Sequence, residues 1–279
     1  MTVIEGYRWA CFELENTVST SPHLDAEVLL CSILGFTKEN FFAFRNQEIE
    51  GYKLDKFQDS IKSRKKGMPV AYITGEKEFY NLKFKVNKNV LIPRPETETL
   101  VEHLVFEMKG RHNVRFLDIG TGSGCIIISM AKNLSNANHY HASDESAKAL
   151  GVAQENAERH KVKITFTRSD LTKNTGTDYD VVIANLPYLS ALEDPSTEFE
   201  PKSALVAGKG GLELYERLFA ELATGSHKPL LYLEFGHDQA DQIKKLAAQF
   251  LPDSTVTVFN DMSGIPRFAR IWRKQLSYL

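Results

Sequence analysis

The stretch VVIANLPYLS, residues 181–190, sets an apolar run directly against Asn185, Leu186, Pro187 and Tyr188. Such a run reads as a buried strand, and an amide, a proline and a phenol at its end are suited to chemistry. Upstream, LDIGTGSG places Asp118 ahead of Gly120, Gly122 and Gly124. Glycines in that turn permit positive φ and let a ligand come against bare backbone, with a helix N-terminus following. A nucleotide-like ligand is implied. A dinucleotide site would need its third glycine at position 125, where the chain has Cys125. The G-x-G-x-G spacing after an acid is the form that S-adenosylmethionine sites carry, and a tight turn with no ligand is the alternative.

Two more acids fall at ends of apolar runs. Asp144, in HASDES, lies 24 positions beyond Gly120, where a carboxylate can accept both hydroxyl protons of a ribose. Capping of the next helix explains it too. Asp170, in RSDL, can accept from an adenine amino group with Leu171 against the ring, or can be a surface turn.

A methyl acceptor that is an amide or an exocyclic aromatic amine has a delocalised lone pair and is a poor nucleophile. The side-chain oxygen of Asn185 and the carbonyl of Leu186 can each take one N–H of that NH2 group, favouring charge on nitrogen and aiming its lone pair. Pro187 fixes φ in the turn, and Tyr188 offers a flat face to a planar group. In-line transfer of this kind needs neither a metal nor a nucleophilic side chain.

These residues require a scaffold that gathers strand ends. From residue 114 onward, VRFLDIG, HYHASD, ITFTRSD, DVVIANLPY and LLYLEFG alternate with helical stretches such as ESAKALGVAQENAERHK. That alternation predicts a mostly parallel sheet covered on both faces, with ligands at the carboxyl ends of its strands. Residues 1 to about 70 read as a small helical domain. TSPHLDAEVLLCSILGFT has Ser21 as N-cap, Pro22 at the first helical position, apolar residues at 24, 28, 29 and 33, and Gly35 as a stop. In LDKFQDSIKSRKK, Leu54, Phe57 and Ile61 share one face. Between the two regions Leu82, Phe84 and Val86 alternate with Lys83, Lys85 and Asn87, a hairpin pattern.

Composition narrows the class. The chain has 279 residues, 42% hydrophobic and 25% charged, close to globular averages. A net charge of -2 argues against a general nucleic-acid coat. Lys62, Arg64, Lys65 and Lys66 form one basic cluster, read as a solvated helix end. Cys11, Cys31 and Cys125 are widely spaced and odd in number, which suggests neither a disulfide framework nor a zinc site. The N-terminus lacks the pattern of a signal peptide, and no apolar run reaches the roughly 20 residues of a membrane helix. A cytoplasmic location is expected.

The chain resembles the protein-(glutamine-N5) methyltransferases that act on peptide chain release factors, the PrmC/HemK family. The likeness rests on LDAEVLL, GMPVAYITGEKEF, VLIPRPETETLVE, LDIGTGSGCIIISMAK, SDESAKALGVAQENA, NLPY, FEPKSALVAGKGGLELYERL, LEFGHDQ and DMSGIPRFARI. LIPRPETE, residues 91–98, is the most diagnostic, since generic methyltransferase domains lack it.

The resemblance implies an α/β fold: a Rossmann-like, seven-stranded S-adenosylmethionine-dependent methyltransferase domain behind a small helical domain. The expected division is a helical substrate-recognition domain over 1–73, a linking β-hairpin over 74–92 and the methyltransferase domain over 93–279. Gly120, Thr121, Gly122, Ser123 and Gly124 would form the loop for S-adenosylmethionine, with Asp144 on the ribose and Asp170 and Leu171 flanking the adenine. Asn185, which would also touch the cofactor, would act with Leu186, Pro187 and Tyr188 on the acceptor, and Arg94 and Glu96 would border the pocket. For Glu96, helix capping or a salt bridge to Arg94 are alternatives.

The implied partners are class 1 release factors, methylated on the glutamine of their Gly-Gly-Gln loop by a monomeric enzyme that releases S-adenosylhomocysteine. No metal and no direct nucleic-acid partner are expected. A ribosomal-protein glutamine, an RNA or DNA adenine N6 and a catalytically idle binding module are the rival readings. One departure stands out: the family usually reads Asn-Pro-Pro-Tyr, and Leu186 replaces its first proline. Leu186 regains an N–H and conformational freedom, which would either loosen the site or widen its substrate range.

Overall fold

The computed structural model describes residues 1–191, 197–225 and 227–273; residues 192–196, 226 and 274–279, all within the expected 93–279 domain, lie outside the described residues. The chain forms two compact units, divided after Glu76, with residues 197–199 returning to the first.

The first unit is helical: α1 (Val3–Leu14), α2 (Pro22–Leu34), α3 (Lys38–Ala43), α4 (Gly51–Lys65) and α5 (Val70–Thr74). A capping box between Thr2 and Glu5 starts α1. In α4, Phe57 and Ile61 are buried on the expected face. The inward face of α2 differs from expectation. Ala26, Leu29 and Leu30 are buried, whereas Leu24 and Val28 are 56% and 38% exposed.

The cause is Asp25, itself only 7% exposed. Its carboxylate accepts from Arg64 Nε at 2.7 Å and from the hydroxyls of Ser19 and Ser21. Ser21 therefore sits at the cap position of α2, yet its hydroxyl goes to Asp25 and caps nothing. The basic cluster is a solvated helix end only in part: Lys62, Lys65 and Lys66 are exposed at the end of α4, and Arg64 is not. Arg64 lies largely buried on Asp25, while Lys65 pairs with Glu13 and Lys62 with Asp59. A buried carboxylate needs such partners, and that need outweighs apolar periodicity in orienting the helix.

The hairpin β1 (Glu76–Phe79) and β2 (Leu82–Lys85), all but its first residue in the second unit, is followed by α6 (Thr97–Met108). Alternating elements follow: β3 (Arg115–Ile119), α7 (Cys125–Asn133), β4 (His139–Asp144), α8 (Ala147–His160), β5 (Thr165–Arg168) and β6 (Val181–Asn185). After a kinked turn, α9 (Gly208–Gly211), come α10 (Glu213–Thr224), β7 (Leu230–Glu234), α11 (Ala240–Phe250), β8 (Ser254–Asn260) and β9 (Pro266–Arg273). The seven-stranded sheet runs β5-β4-β3-β6-β7-β9-β8. β3 to β7 are mutually parallel, and β9 is antiparallel to both neighbours.

Alternate residues feed two apolar cores, one on each face of the sheet. Phe116, Val181 and Ile183 enter one, with α6 and α7; Leu117, Val182 and Ala184 enter the other, with α10 and α11. This is the expected Rossmann-like methyltransferase architecture. The hairpin is tied to α8 through Asn156, whose side chain exchanges two hydrogen bonds with the Lys85 backbone. Among the described residues, no helix is long and apolar enough to cross a membrane.

Arg64→Ala leaves the buried Asp25 carboxylate without its cation. Urea unfolding of the first unit, followed through Trp9, is expected to show a loss of about 3 kcal/mol.

Candidate active site

Strand order reverses between β3 and β6, and both strands end at the same level, Ile119 beside Ala184. The next residues, Gly120 and Asn185, open a cavity of about 360 Å³ at the carboxyl ends of the strands. Gly120, Gly122 and Gly124 all have positive φ, of 70°, 55° and 80°. Their packing roles differ. A Cβ on Gly120 would lie 3.2 Å from Leu186 Cδ2, one on Gly122 would meet nothing within 4 Å, and one on Gly124 would lie 2.9 Å from Ile128 Cδ1. Bare backbone thus faces the cavity at Gly122, while Gly124 lets α7 pack against α8.

Asp144 ends β4 and reaches back to this loop. Its Oδ2 accepts from the Gly122 N–H at 3.0 Å and its Oδ1 from the Ser146 N–H at 2.8 Å. Capping of α8 is done by Ser146, whose hydroxyl accepts from Ala149 N–H, so Asp144 is not the cap. Burial raises the Asp144 pKa, opposed by the two backbone donors. Beneath the loop Asp118 is 1% exposed and accepts from the Thr121 hydroxyl at 2.7 Å. Burial, with the Asp144 charge nearby, pushes its pKa up to about 7.

The cavity is also lined by Arg94, Thr121, Ser123, Asp170, Leu171, Leu186 and Pro187. Asp170 is held below the usual carboxylate range by Lys173 and Arg217, both within 2.6 Å. Gly124, Glu96 and Tyr188 are not in the lining. Arg94 does not pair with Glu96. Its guanidinium donates to Glu200 at 2.7 Å, and Glu200, 4% exposed, also accepts the Ile92 N–H. Nor does Glu96 cap α6, since it sits at the cap position without a side-chain hydrogen bond.

The loop after Asn185 is clamped. The N–H that Leu186 has in place of a proline is buried and donates to the Tyr215 hydroxyl at 3.2 Å, so the site is not loosened there. The Tyr215 hydroxyl reaches the Glu234 carbonyl more closely than that of Leu186, and its single proton goes to the nearer acceptor. The Leu186 carbonyl keeps its lone pairs. Gln239 donates to the Tyr188 carbonyl at 2.9 Å, and a Cβ on Gly211 would lie 1.8 Å from that oxygen. The Tyr188 ring packs on the core beside α10 and α11. Burial, with Glu234 nearby, lifts its phenol to about 12, opposed by Arg267 and Arg94.

Thr97, Glu200, Tyr215 and Glu234 escaped the sequence reading. Glu234 carries a signal: it is the one charge in LLYLEFG, an otherwise apolar strand that is buried throughout.

Two family models match the chain: "PrmC N-terminal domain" over residues 5–75 and "Methyltransferase small domain" over residues 95–200. A "Release factor glutamine methyltransferase" of Bacillus anthracis is 34% identical, aligning over 97% of this chain and 100% of its own. A protein of the same name from Nitratidesulfovibrio vulgaris is 37% identical, over 94% and 92%. The chain belongs to the release factor glutamine methyltransferase family. Its methyl donor is S-adenosylmethionine. Among solved structures, the hMettl16 catalytic domain in complex with the MAT2A 3'UTR hairpin 1 aligns with a TM-score of 0.54 over 87% of each chain, at 16% identity, a likeness of fold alone.

The raised pKa of Asp118 sets a sign. An unfolded aspartate loses its proton near pH 4, whereas the folded one keeps it to about 7. The native state therefore binds the extra proton between those values, and this contribution to stability, full at low pH, is lost as pH rises through that window. Asp118→Asn keeps an acceptor for Thr121 and removes the titration. Its unfolding free energy is expected to fall less than that of the wild type between about pH 4 and 7.5 in urea titrations. Glu234 acts in the same sense, so the profile flattens without becoming level.

Proposed function

We propose that the enzyme methylates the side-chain amide nitrogen of the glutamine in the Gly-Gly-Gln loop of class 1 release factors, in the cytoplasm. The observation that carries this reading is the meeting of Asn185 and Leu186 with the glycine loop at the β3/β6 reversal, in a chain that aligns with its relatives almost end to end.

The residues present suit the donor. Gly122 offers open backbone, Asp144 a carboxylate beside it, and Asp170 and Leu171 a flank for the adenine. When bound, S-adenosylmethionine supplies an electrophilic sulfonium methyl. Asn185 Oδ1 and the Leu186 carbonyl accept the two N–H bonds of the glutamine amide, holding its lone pair toward the donor and stabilising charge that grows on nitrogen. Pro187 and Tyr188 shape this loop. Arg94, anchored by Glu200, borders the acceptor side. The division into a recognition domain over 1–73, a hairpin over 74–92 and a catalytic domain beyond it belongs to the same proposal. The helical domain holds the release factor while the loop is modified.

The test is methyl transfer from labelled donor to purified release factor, with the modified peptide mapped by mass spectrometry against a Gly-Gly-Ala control. One added methyl on the glutamine is expected. Transfer to a ribosomal protein or to an adenine of RNA or DNA instead overturns the substrate. Asn185→Ala should leave donor affinity nearly intact and raise the barrier by about 2.7 to 4 kcal/mol, as for loss of one aimed polar group. Asp144→Ala should weaken donor binding in calorimetry.

A further inference from the structure

Asn185 ends β6 and Glu234 ends β7, and the two are register partners on adjacent parallel strands. Side chains at paired positions leave the same face of a sheet. Glu234 is 1% exposed, yet its Oε2 has no hydrogen-bond partner among the described residues. Thr97, at the start of α6 and 2% exposed, completes a cluster with them. Asn185 Nδ2 donates to Thr97 Oγ1 at 3.5 Å, and the Thr97 and Asn185 side chains both favour the charged form of Glu234 by hydrogen bonding.

An asparagine amide presents donors at one end and an acceptor at the other, and its surroundings decide which end faces where. We propose that Glu234 is a positioning residue: with Thr97, its carboxylate draws the Nδ2 end of Asn185 inward and so turns Oδ1 to the cavity as the acceptor for the substrate NH2 group. This rests on the reading that the acceptor is a planar NH2 group. A carboxylate only accepts, so a flipped Asn185 would set oxygen against oxygen inside and a donor against the substrate's donors outside. A protonated Glu234 can donate, and the bias on Asn185 is then lost.

Its pKa is pushed up to about 7, chiefly by burial. Thr97, Arg267 of β9 and Asn185 oppose that shift, and Glu96 ahead of α6 adds to it. Tyr188 after β6, Tyr215 of α10 and Cys125 of α7 also feel its charge, and all three have raised pKa values, so they remain neutral through the range in which Glu234 titrates. The charged, orienting form of Glu234 therefore grows as pH rises through neutrality.

The experiment compares the full-length wild type with Glu234→Gln, Thr97→Val and Thr97→Ser. It measures kcat/KM from about pH 5.5 to 9, donor binding by calorimetry, and affinity for a Gly-Gly-Gln peptide with S-adenosylhomocysteine present. Wild-type kcat/KM is expected to rise with pH through neutrality. Glutamine carries a donor as well as an acceptor, so Glu234→Gln should lose that limb and about 10- to 100-fold in kcat/KM, with weaker peptide binding and unchanged donor binding. Thr97→Val should lose activity in the same direction and Thr97→Ser should restore it.

Wild-type kcat/KM with the same limb in Glu234→Gln overturns the proposal, as does lost activity with the limb intact. If Glu234→Gln fails to bind donor, Thr97→Val decides: wild-type activity there overturns the proposal, and so does a loss that Thr97→Ser leaves unrepaired. Should the wild type leave release factor glutamine untouched, the substrate reading fails by itself. The same variants, assayed on the planar amine it does methylate, still test Glu234.

Discussion

Everything in the site hangs on the pairing of β3 with β6, the two neighbouring parallel strands between which the sheet order reverses. Helices after β3 pack one face of the sheet and those after β6 the other, so the loops leaving Ile119 and Asn185 part and leave a crevice. Where the two loops touch, a glycine faces a leucine. Gly120 lies so close to Leu186 that an added Cβ would press on that side chain at 3.2 Å. The glycine loop and the loop after Asn185 are thus registered against each other by the backbone hydrogen bonds of β3 and β6.

Around this crevice the protein buries acids that a stable core would avoid. Asp118, Glu200 and Glu234 are each less than 5% exposed. Burial raises the pKa of Asp118 and Glu234, and both lie behind side chains or loops that face the cavity. Such groups cost folding stability and in return fix orientation in a low dielectric, a trade common at functional sites. Glu200 is compensated by Arg94, whereas Glu234 keeps one oxygen without a partner among the described residues.

Leu186 shows how a change in a motif is absorbed. A leucine in place of proline brings an N–H and a branched side chain into a buried turn. The Tyr215 hydroxyl takes the N–H, and the side chain joins the core with Leu117 and Leu218. With Gln239 holding the Tyr188 carbonyl, the loop is restrained by partners on α10 and ahead of α11, so it does not rely on proline alone for its shape.

From the sequence alone came the alternation of strands and helices, the glycine turn, and the strand-end residues Asp144 and Asn185, because each depends on local periodicity or on spacing along the chain. Periodicity assigns the wrong inward face to α2 because Asp25 turns inward to Arg64, 39 residues away, and a linear pattern cannot register a partner so distant. Arg94 was placed at the pocket, but its partner Glu200 lies 106 residues on. Which glycine faces the cavity, where the Leu186 N–H goes, and that Glu234 stands beside Asn185 were decided only by the tertiary structure. Each depends on elements from separate parts of the chain meeting at one sheet edge, and a linear pattern holds no record of such meetings.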